Sequence, residues 1–337
     1  MVRGVGTATG VAGTVLGPQV VAFMEAAAPA AMKIFTIVGP TSAGKTAYAV
    51  EAALKRNGEV ISVDSRQIYR GFVIGTGQPT AGEQGGVPHH LLNRLDPAQR
   101  ITAGQYARLV YDQIAEIVAR GREPILCGGS GLYLRAVRLG LVASGESDPV
   151  LRQAVLARIE AQGAKQVYAE FARADPEYAQ TFQPSNIRRL ARAVELLEAT
   201  GRPPSEMHSW RQAGHSGYDR PPAITIPGVG AVTFQLLGLR RPRQELNARI
   251  DSRVDAMLDR GWLDEVRRLL DAGVPPTAHA MQGVGYRQLV QVLAGELALD
   301  EAVPLIQQRT RQFARRQLTW FRREPVQWIA PGDASGS

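Results

Sequence analysis

The sequence predicts an α/β protein: a parallel sheet flanked by helices and interrupted by an all-helical insertion. Three observations carry this. Short β-branched runs alternate with amphipathic stretches, as in strand–crossover–strand units. One such run leads directly into Gly39-Pro40-Thr41-Ser42-Ala43-Gly44-Lys45-Thr46. Residues 144–205 are charged, helical in pattern and without strand candidates.

Taken in order, residues 1–31 are rich in Gly, Ala, Val and Thr, with Arg3 and Glu25 the only charges. Glycines and prolines break the apolar stretch, which argues against a targeting peptide. A disordered or wrongly annotated leader is expected, because Met24 and Met32 offer later starts. Lys33 to Val38 reads as a buried strand, Thr46 to Arg56 as a helix and Glu59 to Val63 as a second strand. Ile101 to Arg120 spaces Tyr106, Leu109, Val110, Ile114 and Ile117 by three and four, an amphipathic helix that Gly121 stops. Pro124 to Cys127 is a third strand. Asp148-Pro149 and Gly201-Arg202-Pro203-Pro204 bracket the insertion, and Arg211 to Gly230 looks like a loop. Thr233 to Gly238 returns as a strand. Helices are expected over Pro242 to Arg260, Trp262 to Ala272, Tyr286 to Ala294 and Asp300 to Arg323, then a last strand over Val326 to Ile329. The expected domains are therefore 32–143 with 206–330 as the catalytic part, 144–205 as the insertion, and 331–337 as a frayed tail.

Composition narrows the function. A chain of 337 residues suits about two domains. Its single cysteine, Cys127, excludes an internal disulfide or a Cys-based zinc finger and suggests the cytoplasm. No run of about 20 uncharged apolar residues exists, so no ordinary transmembrane helix is expected. The net charge of +8 favours a polyanionic partner. Lysines stand only at positions 33, 45, 55 and 165; the rest of the positive charge is arginine, which a GC-rich genome also produces. Placement of the charge has to decide.

Residues 39–46 fit G-x-x-x-x-G-K-[ST], with a strand entering and a helix leaving, so the fold is expected to be P-loop NTPase-like. The glycines let successive N–H groups turn toward an anion, and the helix N-terminus adds partial positive charge. Lys45 reaches the outer phosphate, and the Thr46 hydroxyl is a candidate Mg²⁺ ligand. A hydrolase would need a water-positioning residue and a second acidic ligand, for which Asp64 at the end of its strand is available. Yet Asp64 is followed by Ser65-Arg66-Gln67-Ile68-Tyr69, a polar cluster at the strand end where α/β sheets meet ligands.

These residues closely resemble the bacterial tRNA dimethylallyltransferase family. The matching pieces are GPTSAGKT (39–46), DSRQIY (64–69), GTGQPT (75–80), VPHHLL (87–92), GGSGLYLRAV (128–137), NIRRLARAVE (186–195), RIDSRVDAML (249–258), GVGYRQL (283–289) and TRQFARRQLTWFR (310–322). They run in family order over nearly all the chain after residue 32. The family more often has Ala-Ser at Ser42-Ala43, Thr at Ser130 and Lys at Gln78, and the leader has no counterpart.

The resemblance implies a Mg²⁺-dependent enzyme that moves a dimethylallyl group from dimethylallyl diphosphate to N6 of the adenosine 3′ of the anticodon. It implies that Gly39, Pro40, Thr41, Ser42, Ala43, Gly44, Lys45 and Thr46, with Arg249, hold the diphosphate. Asp64 becomes the general base, Ser130 a donor near the bridging oxygen, and Arg253 a diphosphate ligand. The tRNA contacts implied are Asp64, Ser65, Arg66, Gln67, Arg152, Arg188, Arg189, Leu190, Ala191, Arg192 and, more weakly, Arg287. The residues agree chemically: adenine N6 is a poor nucleophile, so catalysis must favour departure of the diphosphate through placed cations and donors. Arg249 and Arg253 lie four apart on one helix face.

Blander assignments compete for several of these. Asp64 also suits a helix N-cap, and the arginine pair also suits a solvated face beside Asp251 and Asp255. His89 and His90 read as structural or substrate-lining, and Cys127 as an inert strand residue. Phe313 and Trp320, set among Arg309, Arg311, Arg315, Arg316, Arg322 and Arg323, read as core. An enzyme acting on free AMP or ADP, a P-loop kinase or NTPase, and a non-catalytic RNA-binding nucleotide sensor are the alternatives. A monomer is expected.

Overall fold

A computed structural model describes residues 31–140, 148–207 and 223–330. The expected leader, the 331–337 tail and most of the expected 211–230 loop lie outside the described residues.

The chain opens with β1 (Met32–Val38), α1 (Lys45–Lys55) and β2 (Gly58–Val63), then α2 (Ala81–Gln84) and the two-residue β3 (His89–His90). Next come α3 (Ala103–Ala119), β4 (Glu123–Gly128) and α4 (Gly131–Leu139). The helical segment is α5 (Pro149–Gln162), α6 (Ala164–Ala174), α7 (Pro176–Ala179), α8 (Ile187–Thr200) and α9 (Pro204–Met207). After it run β5 (Ile224–Ile226), β6 (Gly230–Leu239), α10 (Arg243–Asp259), α11 (Trp262–Asp271), α12 (Tyr286–Leu293), α13 (Leu299–Phe321) and β7 (Val326–Ile329).

The strands form one 7-stranded sheet in the order β3-β2-β4-β1-β6-β5, with β7 also on β6. All pairings are parallel except β5 with β6. That hairpin corrects the expected loop: Ile224–Ile226 pairs with Val232–Gly230, so β6 begins three residues before Thr233. The short β3 was not legible either, since two residues carry no periodicity.

Parallel strands covered on both faces should be apolar throughout, and β2 is buried at all positions. Successive residues serve opposite faces. Ile37, Val60 and Ile125 pack with Ala49, Val50 and Ala53 of α1, whereas Ile34, Val38, Ile61 and Val63 pack with Tyr106, Val110 and Ile114 of α3. Each fully buried aliphatic side chain contributes about 1.5–3 kcal/mol. Thr102 and Gln105 form a reciprocal capping box that starts α3.

Residues 148–207 build a second core from Val155, Ile159, Val167, Phe171, Phe182, Leu190 and Val194. Asp148 caps α5 through the N–H groups of Val150 and Leu151. Asp175 caps α7 and also accepts from the Ser205 N–H at 2.8 Å, tying the segment's end to its middle. Buried Glu324 receives Arg135 and Arg138 of α4, which pins the chain after α13 to that helix.

Candidate active site

The register places three strand ends in a row. Val63 pairs with Gly128, and Gly128 with Val38, so β2, β4 and β1 end together. Asp64, the Gly129-Ser130 turn and the phosphate loop therefore emerge side by side. They line a cleft of about 1000 Å³ together with α10 and α13.

The phosphate loop is held by its carbonyls. Lys45 Nζ donates to Pro40 O at 2.7 Å, Arg249 Nε to Ser42 O at 3.0 Å and Arg241 Nε to Ala43 O at 3.0 Å. With those oxygens occupied, the open first-turn N–H groups of α1 are available to an anion. Gly39 cannot be replaced, because a Cβ would lie 2.6 Å from Leu239 O. Ser42 has a left-handed φ of 63°, and its hydroxyl is buried without a partner among the described residues. Such an orphan donor fits an incoming phosphoryl oxygen. Burial pushes the Lys45 ammonium down to about 8; Arg253 acts the same way, against Cys127 and Asp64. A nearby polyanion reverses that penalty.

Asp64 serves as a local cap while keeping one oxygen open. Its Oδ1 accepts from the N–H groups of Arg66 (2.8 Å) and Gln67 (3.3 Å). The capping and catalytic assignments are thus compatible. Ser130 Oγ accepts from the Ser65 N–H at 3.1 Å, which leaves its own proton to donate into the cleft. Tyr106 braces the same strand end, its hydroxyl donating to Ser62 O and accepting from the Asp64 N–H. Gln67 Nε2 donates to the carbonyls of Thr76 and Gly77, fixing the facing loop.

Arg253 is half-buried against that loop and donates from Nη2 to Gly77 O at 3.2 Å. Burial lowers its pKa, with Arg260 and Arg249 acting the same way. A Cβ on Gly77 would stand 1.8 Å from this guanidinium, so the glycine makes its room. Asp251 and Asp255 face away and engage Arg311 and Gln307. The arginine pair thus faces the cleft. Arg249, however, is engaged with the loop carbonyl and reaches an anion through the loop's shape.

Three supports were not read from the sequence. Glu265 on α11 is buried and accepts from the N–H groups of Val73, Ile74 and Gly75 and from the Tyr286 hydroxyl. Gln78, where the resembling family commonly has Lys, is also buried; it donates to Gln67 O, Phe72 O and Asn93 Oδ1 and accepts from Asn93 Nδ2. Gln317 on α13 accepts from the Thr41 N–H and donates to Gly129 O. No local signal marks Glu265 or Gln317: the main-chain partners of Glu265 lie 190 or more residues away and those of Gln317 188 or more.

The remaining candidates lie elsewhere. In the helical segment, Arg152 and Arg192 both pair with buried Glu195, and Arg189 lies over the rings of Tyr178 and Phe182. Arg188 is exposed. The Leu190 and Ala191 side chains are fully buried in the second core, where they hold α8. Arg287 is exposed at the start of α12. Phe313 is a correction. It is 37% exposed, lines the cleft and carries Arg316 over its ring at 5.9 Å, because α13 turns this face to the cleft rather than to the core. Trp320 is half-buried under the Arg135 guanidinium. His90 bonds Glu59 and His89 bonds Val87 O, both at the sheet edge. Burial pushes the Cys127 thiol up to about 11, leaving it protonated and unreactive near neutral pH.

A cation held at Thr46 would meet an oxygen donor. Thr46 lines the cleft with Lys45 and Asp64, and no cluster of three His, Cys, Asp or Glu side chains exists among the described residues. A hydroxyl completed by phosphate oxygens suits a hard ion such as Mg²⁺.

Comparison with known proteins agrees with this geometry. The IPP transferase family model matches residues 67–324. The tRNA dimethylallyltransferase 1 of Trichlorobacter lovleyi is 43% identical over 299 residues, covering 88% of this chain and 93% of that protein. The tRNA dimethylallyltransferase of Thermomicrobium roseum is 43% identical over 297 residues, covering 88% and 85%. Among solved structures, the tRNA isopentenylpyrophosphate transferase of Bacillus halodurans superposes with a TM-score of 0.62 at 35% identity, covering 88% of this chain and 89% of that one. A eukaryotic dimethylallyltransferase acting on tRNA superposes with a TM-score of 0.72 at 25% identity, covering 89% and 74%.

Proposed function

We propose that this chain, which belongs to the IPP transferase family, transfers a dimethylallyl group from dimethylallyl diphosphate to N6 of the adenosine immediately 3′ of the anticodon in tRNA. The observation that carries this reading is the row of strand ends. It sets Asp64, Ser130 and the phosphate loop along one cleft, in the order base, donor and leaving-group site.

The loop N–H groups, Lys45 and Arg253 take the diphosphate. Asp64 faces the adenine amine with the oxygen that is not capping Arg66 and Gln67. The C1–O bond breaks as the allylic cation is stabilised by its π-system, and the N6–C1 bond forms. The N6 proton passes to Asp64 and the diphosphate leaves. Asp64 need not be a strong base, because the amine turns acidic only as it bonds to carbon. Ser130 donates its proton toward the bridging oxygen, where negative charge grows. Thr46 would hold Mg²⁺ against the phosphate oxygens, and such an ion neutralises leaving-group charge.

To reach Asp64 the target base has to leave its stack. Arg152, Arg188, Arg189 and Arg192 of the helical segment, together with Arg287, hold the RNA backbone meanwhile. The segment 144–205 is in this reading the RNA-gripping domain of a monomer. No helix among the described residues is long and apolar enough to cross a membrane, and we place the enzyme in the cytoplasm.

The test is incubation with Mg²⁺, dimethylallyl diphosphate and unmodified tRNA, then digestion and mass spectrometry for prenyladenosine, with AMP as a parallel acceptor. Product on tRNA is expected. Product on AMP alone would move the activity to free nucleotides and leave the helical arginines without a role. Phosphate release from ATP without any prenyl product would point to an NTPase instead.

A further inference from the structure

The phosphate loop is closed at one end by a side chain that the proposed reaction does not use. Gln317 is 7% exposed on α13. Its Oε1 accepts the Thr41 N–H at 2.8 Å, and its Nε2 donates to Gly129 O at 3.0 Å. One carboxamide thus bridges the third residue of the loop and the turn that carries Ser130. The position is fixed from all sides. A Cβ on Gly129 would stand 2.3 Å from Nε2, and one on Gly131 2.4 Å from the Trp320 ring. Arg135 stacks on that ring at 4.4 Å.

The consequence is electrostatic and steric. A phosphate loop binds a polyanion with its N–H groups, and its Lys reaches the outer phosphates. Here the Thr41 N–H is already taken by a neutral oxygen. That oxygen carries no proton and offers no donor to a phosphoryl group arriving at Thr41. A third phosphoryl group placed there would have to expel the amide, strand the Gly129 carbonyl and face the oxygen's negative end. Two phosphoryl groups need none of this.

We propose that Gln317 is a specificity-determining residue that limits the loop to a diphosphate and excludes triphosphates. This rests on the reading that the loop holds the diphosphate of the prenyl donor, but its test does not need prenyl transfer.

The experiment is calorimetric titration of the full chain, with Mg²⁺, by inorganic diphosphate and by inorganic tripolyphosphate. Wild type is expected to favour diphosphate by about tenfold or more, and Gln317→Ala to narrow that preference by about tenfold, mainly by tightening tripolyphosphate. Should the alanine variant not fold, Gln317→Asn is one methylene too short to span both partners and is expected to narrow the preference too. Equal weakening of both anions in a folded variant would assign Gln317 a purely structural part and overturn the proposal. So would an unchanged ratio, or a wild type without preference. Failure of the prenyl-transfer reading would appear instead as absent prenyladenosine with the anion preference intact.

Discussion

In the cleft, cationic side chains grip the backbone: Lys45, Arg241, Arg249 and Arg253 each donate to a main-chain carbonyl. In the helical segment, arginines rest mainly on other side chains, although Arg152 also donates to Arg188 O and Arg173 to Ala169 O. Arg152 and Arg192 share Glu195, Arg158 bridges Glu170 and Glu198, and Arg189 covers aromatic rings. A carbonyl cannot move without the fold, whereas the partly exposed Glu170 and Glu198 exchange partners at little cost; buried Glu195 keeps one of its two arginines. The first region is built to keep its shape around a small anion. In the proposed function, the partly exposed arginines of the second trade these partners for the phosphates of a large one.

The largest test of this contrast is Asp64→Asn. The amide oxygen still caps Arg66 and Gln67, so thermal stability should hold within about 1 kcal/mol, while prenyl transfer falls by about 10²–10⁴-fold. Single-turnover rates beside a melting curve measure both. A matching loss of stability would make Asp64 a cap and no more.

Next in size is Glu265→Ala. Removing a buried acceptor of three N–H groups and a tyrosine hydroxyl should cost about 3–5 kcal/mol in urea unfolding. It should also slow turnover, since the loop it holds leads into Gly77, the partner of Arg253. An effect within 0.5 kcal/mol would show that this side of the cleft is not rigid.

Smaller effects are expected from the insertion. Arg188→Ala and Arg192→Ala should each raise KM for tRNA by about tenfold or less, lower the salt dependence of binding by about one unit, and leave kcat alone. Filter binding across a salt series checks this. A change in kcat instead would mean that the two regions are coupled.

The smallest effect is in pH. With its pKa lowered by burial to about 8, Lys45 is charged below that pH and increasingly neutral above it. A bound diphosphate favours the charged form, so binding takes up a proton above about pH 8. Affinity should therefore fall as pH rises through 8, by at most about tenfold per pH unit. Titration at pH 7 and 9 in two buffers of different ionisation heat would show it, and Lys45→Arg should flatten it.

Local chemistry was legible in the sequence and distant pairing was not. The strand, loop and helix around Lys45 declare themselves because their signals lie within one short stretch. Asp64 and Ser130 were nominated by their place at strand ends and by the family resemblance. Glu265 and Gln317 were missed because their meaning lies in partners far along the chain. Phe313 departs from its core assignment because periodicity says that a helix has two faces but not which one meets another element. The β5–β6 hairpin was hidden by a glycine- and proline-rich run that reads as loop at either end.

The alignment of Val63, Gly128 and Val38 also fixes a length. Neighbouring strands stand about 4.8 Å apart, so Asp64 and the phosphate loop are set roughly 9–10 Å from one another, with Ser130 midway. The sheet acts as a ruler graduated in strands. An amine, an allylic carbon and a diphosphate laid end to end need about that span. Chemistry with a shorter reach would require the same residues on adjacent strands. Re-engineering the cleft for another transfer therefore begins with the choice of strand, before any choice of side chain.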